Sequence, residues 1–131
     1  MRFTLTALLA IAISIASSQS TLAIAGFLLI PYMDKWMHFF FFGLLATLIL
    51  SLKPFRKDRL NWIFSILFTS LFGTLDEFHQ SYTIGRHFEI ADIAFDSLGA
   101  LTAATLYIKW KQYRKLLEHP LKLSFLESGS K

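Results

Sequence analysis

Four apolar runs, residues 3–16, 36–52, 60–75 and 90–110, are joined by short polar segments and dominate the chain. Each is close to the roughly 20 residues with which a helix crosses about 30 Å of hydrocarbon. The apolar residues come as runs rather than as the broken stripes of soluble amphipathic helices. More than half of the 131 residues are apolar and 14 are Phe. A soluble domain of this size has too high a surface-to-volume ratio to hide that much apolar surface. The chain is therefore expected to be an all-α integral membrane protein, a bundle of four transmembrane helices. A further apolar piece, residues 22–30, is too short to span and is expected to lie in the interface. The chain has no Cys, which excludes a disulfide framework and thiolate chemistry.

Charge orients the bundle. Lys53-Pro54-Phe55-Arg56-Lys57-Asp58-Arg59 separates the second and third runs, and Lys109-Trp110-Lys111-Gln112-Tyr113-Arg114-Lys115 follows the fourth. Cytoplasmic loops are rich in Lys and Arg. Of 13 such residues, all but Lys35 and Arg86 fall in segments that this rule places inside. An even number of crossings then puts both termini in the cytoplasm. The expected division is a membrane domain over residues 1–110 and a basic cytoplasmic tail over 111–131, whose cations meet anionic lipid heads. Arg2, the short first run and the small residues at 16–18 also resemble a secretory signal peptide, whose cleavage would leave three helices. Trp36, Tyr82 and Trp110 read as interfacial belt anchors. The cations are explained by topology and carry no aromatic–basic recognition motif, so nucleic acid is not an expected partner.

The acidic residues follow the opposite pattern. Asp34, Asp76, Glu77, Glu89, Asp92 and Asp96 lie in outer segments or the outer halves of helices, together with Lys35, His38, His79, Gln80, Arg86 and His87. Asp34 and His38 share a helix face at i,i+4. Thr69, Gly73, Asp76 and Gln80 form a small and polar stripe on the third helix. Asp92, Asp96, Gly99 and Ala103 form another on the fourth. Small residues let membrane helices approach closely, so the two stripes are expected to face each other. Asp96 lies 13 residues before Lys109, about 20 Å from the inner boundary at about 1.5 Å per residue. A carboxylate at that depth is protonated, paired or wetted by a cavity. Arg86, in the turn Thr83-Ile84-Gly85-Arg86, is the expected partner, because a guanidinium spans two carboxylates.

This constellation resembles the VanZ-like family. The resemblance rests on Asp34-Lys35-Trp36-Met37-His38, Asp76-Glu77-Phe78-His79-Gln80, Ile84-Gly85-Arg86 and the Asp92, Asp96 and Gly99 of residues 91–99. It covers about residues 10–108. Many members carry Asn where this chain has Asp96, which adds a charge to the site. The resemblance implies a multi-pass protein of the bacterial cytoplasmic membrane, and a family whose founding member is associated with low-level teicoplanin resistance. It assigns no reaction.

Four functions are compatible with these residues. The first is an enzyme acting on an envelope lipid or cell-wall precursor. Carboxylates that share a site lose their protons at different pH, so one serves as base and another as acid. The candidate catalytic residues are Asp76, Glu77, His38 and Asp92, with Asp34 orienting His38. Asp34, Lys35, Gln80, Arg86 and Asp96 are the expected ligand-binding residues. The second is a divalent metal site, because Asp34, His38, Asp76, Glu77, Asp92 and Asp96 offer donors that suit Zn, Mn or Mg. No H-E-x-x-H signature accompanies them. The third is a cation- or proton-binding or transport module, which with four helices would need to dimerise. The fourth is structural: Arg86 and Lys35 neutralise the carboxylates and lock the helix ends.

Overall fold

A computed structural model describes residues 2–19, 32–52 and 59–118. The segment 22–30, the cationic loop 53–58 and the tail beyond residue 118 lie outside them. Five helices and no strand are present among the described residues: α1 (Arg2–Ser17), α2 (Met33–Ser51), α3 (Arg59–Gln80), α4 (Ile90–Lys109) and α5 (Lys111–Glu118). The first four coincide with the four apolar runs, so hydrophobic length set the elements. The third extends past residue 75 through the polar turn that carries Asp76, Glu77 and Gln80. By length and composition one helix among the described residues, α2, is long and apolar enough to cross a membrane; α1 is apolar but shorter.

The helices alternate in direction. The N-termini of α2 and α4 meet the C-terminus of α3, which gathers the acidic residues at one end. At the other end Leu50, Ala104 and Tyr107 form a core against Trp62 and Ile66, and Tyr113 and Leu117 of α5 pack onto it. The first eight residues of the basic tail are thus a helix folded against the bundle. A second core joins α1 to α2 through Ile13, Phe42, Leu45 and Ile49, with Phe72 of α3 beside it.

The most extensive contact is between α2 and α4. Small residues make it possible: Ala46, Ala100 and Ala104 are fully buried, and a Cβ on Gly43 would lie 3.0 Å from the Gly99 carbonyl oxygen. The α3 face that meets α2 is polar. Ser65 Oγ donates a buried hydrogen bond of 2.8 Å to the Ala46 carbonyl. Replacing Ser65 by Ala is expected to cost about 1 kcal/mol in equilibrium unfolding in detergent, since it removes a hydrogen bond and orphans no donor.

The distribution of polarity is inverted relative to a soluble bundle. The interior holds Lys35, Thr47, Ser51, Ser65, Thr69, Asp76, Glu77, Gln80, Asp92 and Asp96, whereas Leu8, Ile11, Ile15, Phe40, Leu44, Leu67, Leu71, Leu75, Leu98 and Leu101 are exposed. Thr47 and Ser51 return their hydroxyls to carbonyls of their own helix, Thr47 to Gly43 at 2.9 Å and Ser51 to Leu48 at 2.7 Å.

Candidate functional site

Three helix ends supply the site. The first turns of α2 carry Asp34, Lys35 and His38, the last turn of α3 carries Asp76, Glu77 and Gln80, and the start of α4 carries Glu89, Asp92 and Asp96. Asp34 and His38, Asp76 and Gln80, and Asp92 and Asp96 are each four apart and so lie on one helix face, with Lys35 and Glu77 one position along. Lys35, Asp76, Glu77, Gln80, Asp92 and Asp96 are buried.

Lys35 is the cation at the centre. Its Nζ lies 3.0 Å from Asp34 Oδ2, 2.5 Å from Glu89 Oε2 and 2.6 Å from Asp92 Oδ1. His38 sits one turn deeper, with Nδ1 3.0 Å from Asp96 Oδ1 and Nε2 3.9 Å from Asp92 Oδ2. With Asp96 ionised, Nδ1 carries the hydrogen and Nε2 presents its lone pair to the space beside Asp92 and Glu77. Glu77 Oε2 accepts the backbone N–H of Glu89 at 2.8 Å, the residue at the N-cap of α4. A carboxylate from α3 thereby satisfies a donor at the start of α4. Gln80 Nε2 donates to Asp76 Oδ2 at 3.1 Å. Apart from Asp92 Oδ1, which is ion-paired with Lys35, three buried carboxylate oxygens among the described residues, Asp76 Oδ1, Glu77 Oε1 and Asp96 Oδ2, have no hydrogen-bond partner.

The structure revises three expectations. Asp34 does not orient His38: it pairs with Lys35, and the carboxylate on His38 Nδ1 is Asp96 from α4. Among the described residues Arg86 meets no carboxylate. Its Nη2 faces the Ser17 carbonyl at 3.5 Å, where the guanidinium complements the C-terminal end of α1. The turn explains its aim: Arg86 N–H returns to the Thr83 carbonyl at 3.0 Å, and Gly85 at φ 83 supplies the positive φ that such a turn needs. Finally, the α3 and α4 stripes meet only in part. A Cβ on Gly73 would overlap the Asp96 carboxylate, but Gly99 and Ala103 lie against Phe39 and Gly43 of α2.

Among the described residues, two groups of side chains bring donor atoms close enough together for a metal ion. In His38, Glu77 and Asp92 one donor atom from each lies within 4.8 Å of the others, and Asp34, Glu89 and Asp92 meet the same measure. Beside the site, a groove of about 420 Å³ between α1 and α3 is apolar along Ile11, Ile15 and Phe72 and polar at Ser18 and His79.

Over residues 2–112 the sequence matches the VanZ/LLP1 family. The chain belongs to that family. The match reaches past the span of about 10–108 that carries the resemblance and includes α1 and the start of α5. No curated protein and no solved structure matches the chain. Two participants in the site of this VanZ/LLP1 protein escaped sequence reasoning, Glu89 as a ligand of Lys35 and Ser17 as the acceptor for Arg86. Glu89 stands three residues before Asp92, the spacing that puts two carboxylates over one cation. No sequence signal tied Ser17 to Arg86, because the contact joins two helices through a backbone oxygen.

Proposed function

We propose that this VanZ/LLP1 protein is a four-helix protein of the bacterial cytoplasmic membrane, with both termini inside. We further propose that its acidic end faces outward and binds, and by acid–base chemistry modifies, a polar lipid or cell-wall-related ligand. The inverted polarity supports the membrane reading, as do the belt positions of Trp36, Tyr82 and Trp110, all exposed at the bundle ends. The separation of charge supports the orientation, since the described cations Lys109, Lys111, Arg114 and Lys115 lie opposite the carboxylates.

One observation carries the binding reading. Four carboxylates, Asp76, Glu77, Asp92 and Asp96, are buried, whereas among the described residues Lys35, paired with Asp92, is the one buried Lys or Arg, and three of the carboxylate oxygens are unpaired. A purely structural salt-bridge network would neutralise itself, because an uncompensated buried charge is strongly destabilising. In this reading Asp76 or Glu77 receives the polar head of the ligand, Asp96 holds His38 in place with Nε2 facing the site, and Arg86 meets an anionic group at the rim. The groove between α1 and α3 supports a ligand with an apolar chain.

Replacing Asp76 and Asp92 together by Asn keeps their shape and removes two charges. The double variant is expected to insert normally and to return teicoplanin susceptibility, or the response to envelope stress, to that of cells lacking the protein. Wild-type behaviour of a normally inserted double variant would end the charged-site reading.

A further inference from the structure

The unpaired carboxylate oxygen of Glu77, the free face of His38 and Asp92 come together at one place, and their chemistry is more selective than that of a general polar pocket. His38 Nδ1 is held by Asp96 Oδ1 at 3.0 Å, while Nε2 stands 3.9 Å from Asp92 Oδ2, too far for a hydrogen bond. A metal about 2.1 Å from each of two donors sets those donors about 3.4 Å apart in a tetrahedron and at most about 4.2 Å apart. The 3.9 Å gap falls within that range. The third donor is Glu77, which is fully buried. Its Oε1 has no partner, and its carboxylate lies within 4.8 Å of the donor atoms of His38 and Asp92. A side-chain rotation that brings the Glu77 donor in by at most about 1.4 Å closes the set in a tetrahedron.

We propose that His38, Glu77 and Asp92 form a site for one divalent transition-metal cation, zinc or manganese, with Asp96 orienting the histidine from behind. The inference rests on reading this cluster as a binding site and adds the identity of what it binds. A carboxylate on the far nitrogen of a histidine is the usual companion of a metal-bound imidazole, fixing the tautomer and raising ligand basicity. Imidazole with two carboxylates selects zinc or manganese over calcium or magnesium. The charge balance agrees: Lys35 compensates one of four buried carboxylates, and a dication offsets two more. Lys35 does not occupy the site, because it takes Asp92 through Oδ1 and leaves Oδ2 to the metal. Three protein donors leave coordination positions open for water or for an oxygen of a bound ligand, the arrangement of catalytic rather than structural zinc.

The test uses the full chain, purified in detergent and stripped with a chelator. Zinc, manganese and, as a spectroscopic probe, cobalt are titrated separately. The expected result is one equivalent bound per chain, with a visible cobalt absorption band that zinc abolishes. Glu77→Gln is expected to lose the equivalent, and Asp96→Asn to weaken binding about 10- to 100-fold. Asp34→Asn, which alters the neighbouring acidic group, is expected to bind like wild type. Absence of a bound equivalent in the wild type would overturn the site, a result that needs no variant to fold. Equal binding by Glu77→Gln and wild type would do the same, as would a loss on Asp34→Asn equal to that on Glu77→Gln. Metal content is read without any activity, so its failure leaves the susceptibility experiment to decide the broader reading separately.

Discussion

Lys35→Met is expected to lower stability by about 3 kcal/mol, measured by equilibrium unfolding in detergent, the size typical of breaking one half of a buried ion pair. The Lys35 side chain is 10% exposed and Asp92 9%, so that pair dominates; Asp34 and Glu89, at 35% and 51%, contribute little in comparison. Exposed pairs are worth at most about 1 kcal/mol. Methionine keeps the length of the stem, so the loss isolates the ammonium from its packing. A second substitution identifies the cause. In Lys35→Met with Asp92→Asn no uncompensated carboxylate is left at position 92, and much of the lost stability is expected to return, a coupling that independent sites do not show. Unfolding of Lys35→Met at the wild-type midpoint would mean that Lys35 is not the central cation.

The expectation that Arg86 holds the carboxylates fails for an instructive reason. On sequence alone, the geometry of its guanidinium and its position between two acidic helix ends favour Arg86. Which cation reaches a carboxylate depends on the offset between helices, and that offset is a tertiary property. Lys35 lies at the start of α2 beside α4, so a flexible four-carbon stem is enough to reach Asp92 and Glu89. Arg86 is turned by Gly85 toward α1. The same offset decides the partner of His38. The i,i+4 rule puts Asp34 on its face, but Asp96 comes closer from α4, and Lys35 has already taken Asp34.

Hydrophobic run length, by contrast, was enough to mark the four long helices, because it is local. The residue pattern also anticipated a buried polar cluster, since Asp76, Glu77, Gln80, Asp92 and Asp96 are all buried. Polar side chains in an otherwise apolar helix leave few places to turn, and the inward face is the one that offers partners. The packing of α5 was less legible. Read as a basic juxtamembrane segment, it also has Tyr113 and Leu117 on one face, four residues apart, and these dock onto Tyr107 and its neighbours.

Gly99→Ala is the substitution expected to disturb both the fold and the site. A Cβ at this position would overlap the backbone carbonyl of Phe39. Neither partner is a side chain that can rotate away, so α2 and α4 must part. Overpacking of this kind costs roughly 1–3 kcal/mol, and backbone meeting backbone places it at the upper end. The functional consequence follows from the same movement, because every contact of Lys35 with Asp92 and of His38 with Asp96 bridges α2 and α4. Gly73→Ala offers the contrast. Its Cβ would meet the Asp96 carboxylate, a side chain that can shift. It is expected to cost less stability while still disturbing Asp96 and, through it, His38. Measured together in detergent, the two variants separate packing from site geometry. Gly99→Ala should unfold at clearly lower denaturant, whereas Gly73→Ala should stay closer to wild type and lose ligand or metal binding. If Gly99→Ala unfolds with the wild type, α2 and α4 pack farther apart than the close approach described, and the site that depends on their contact must be redrawn.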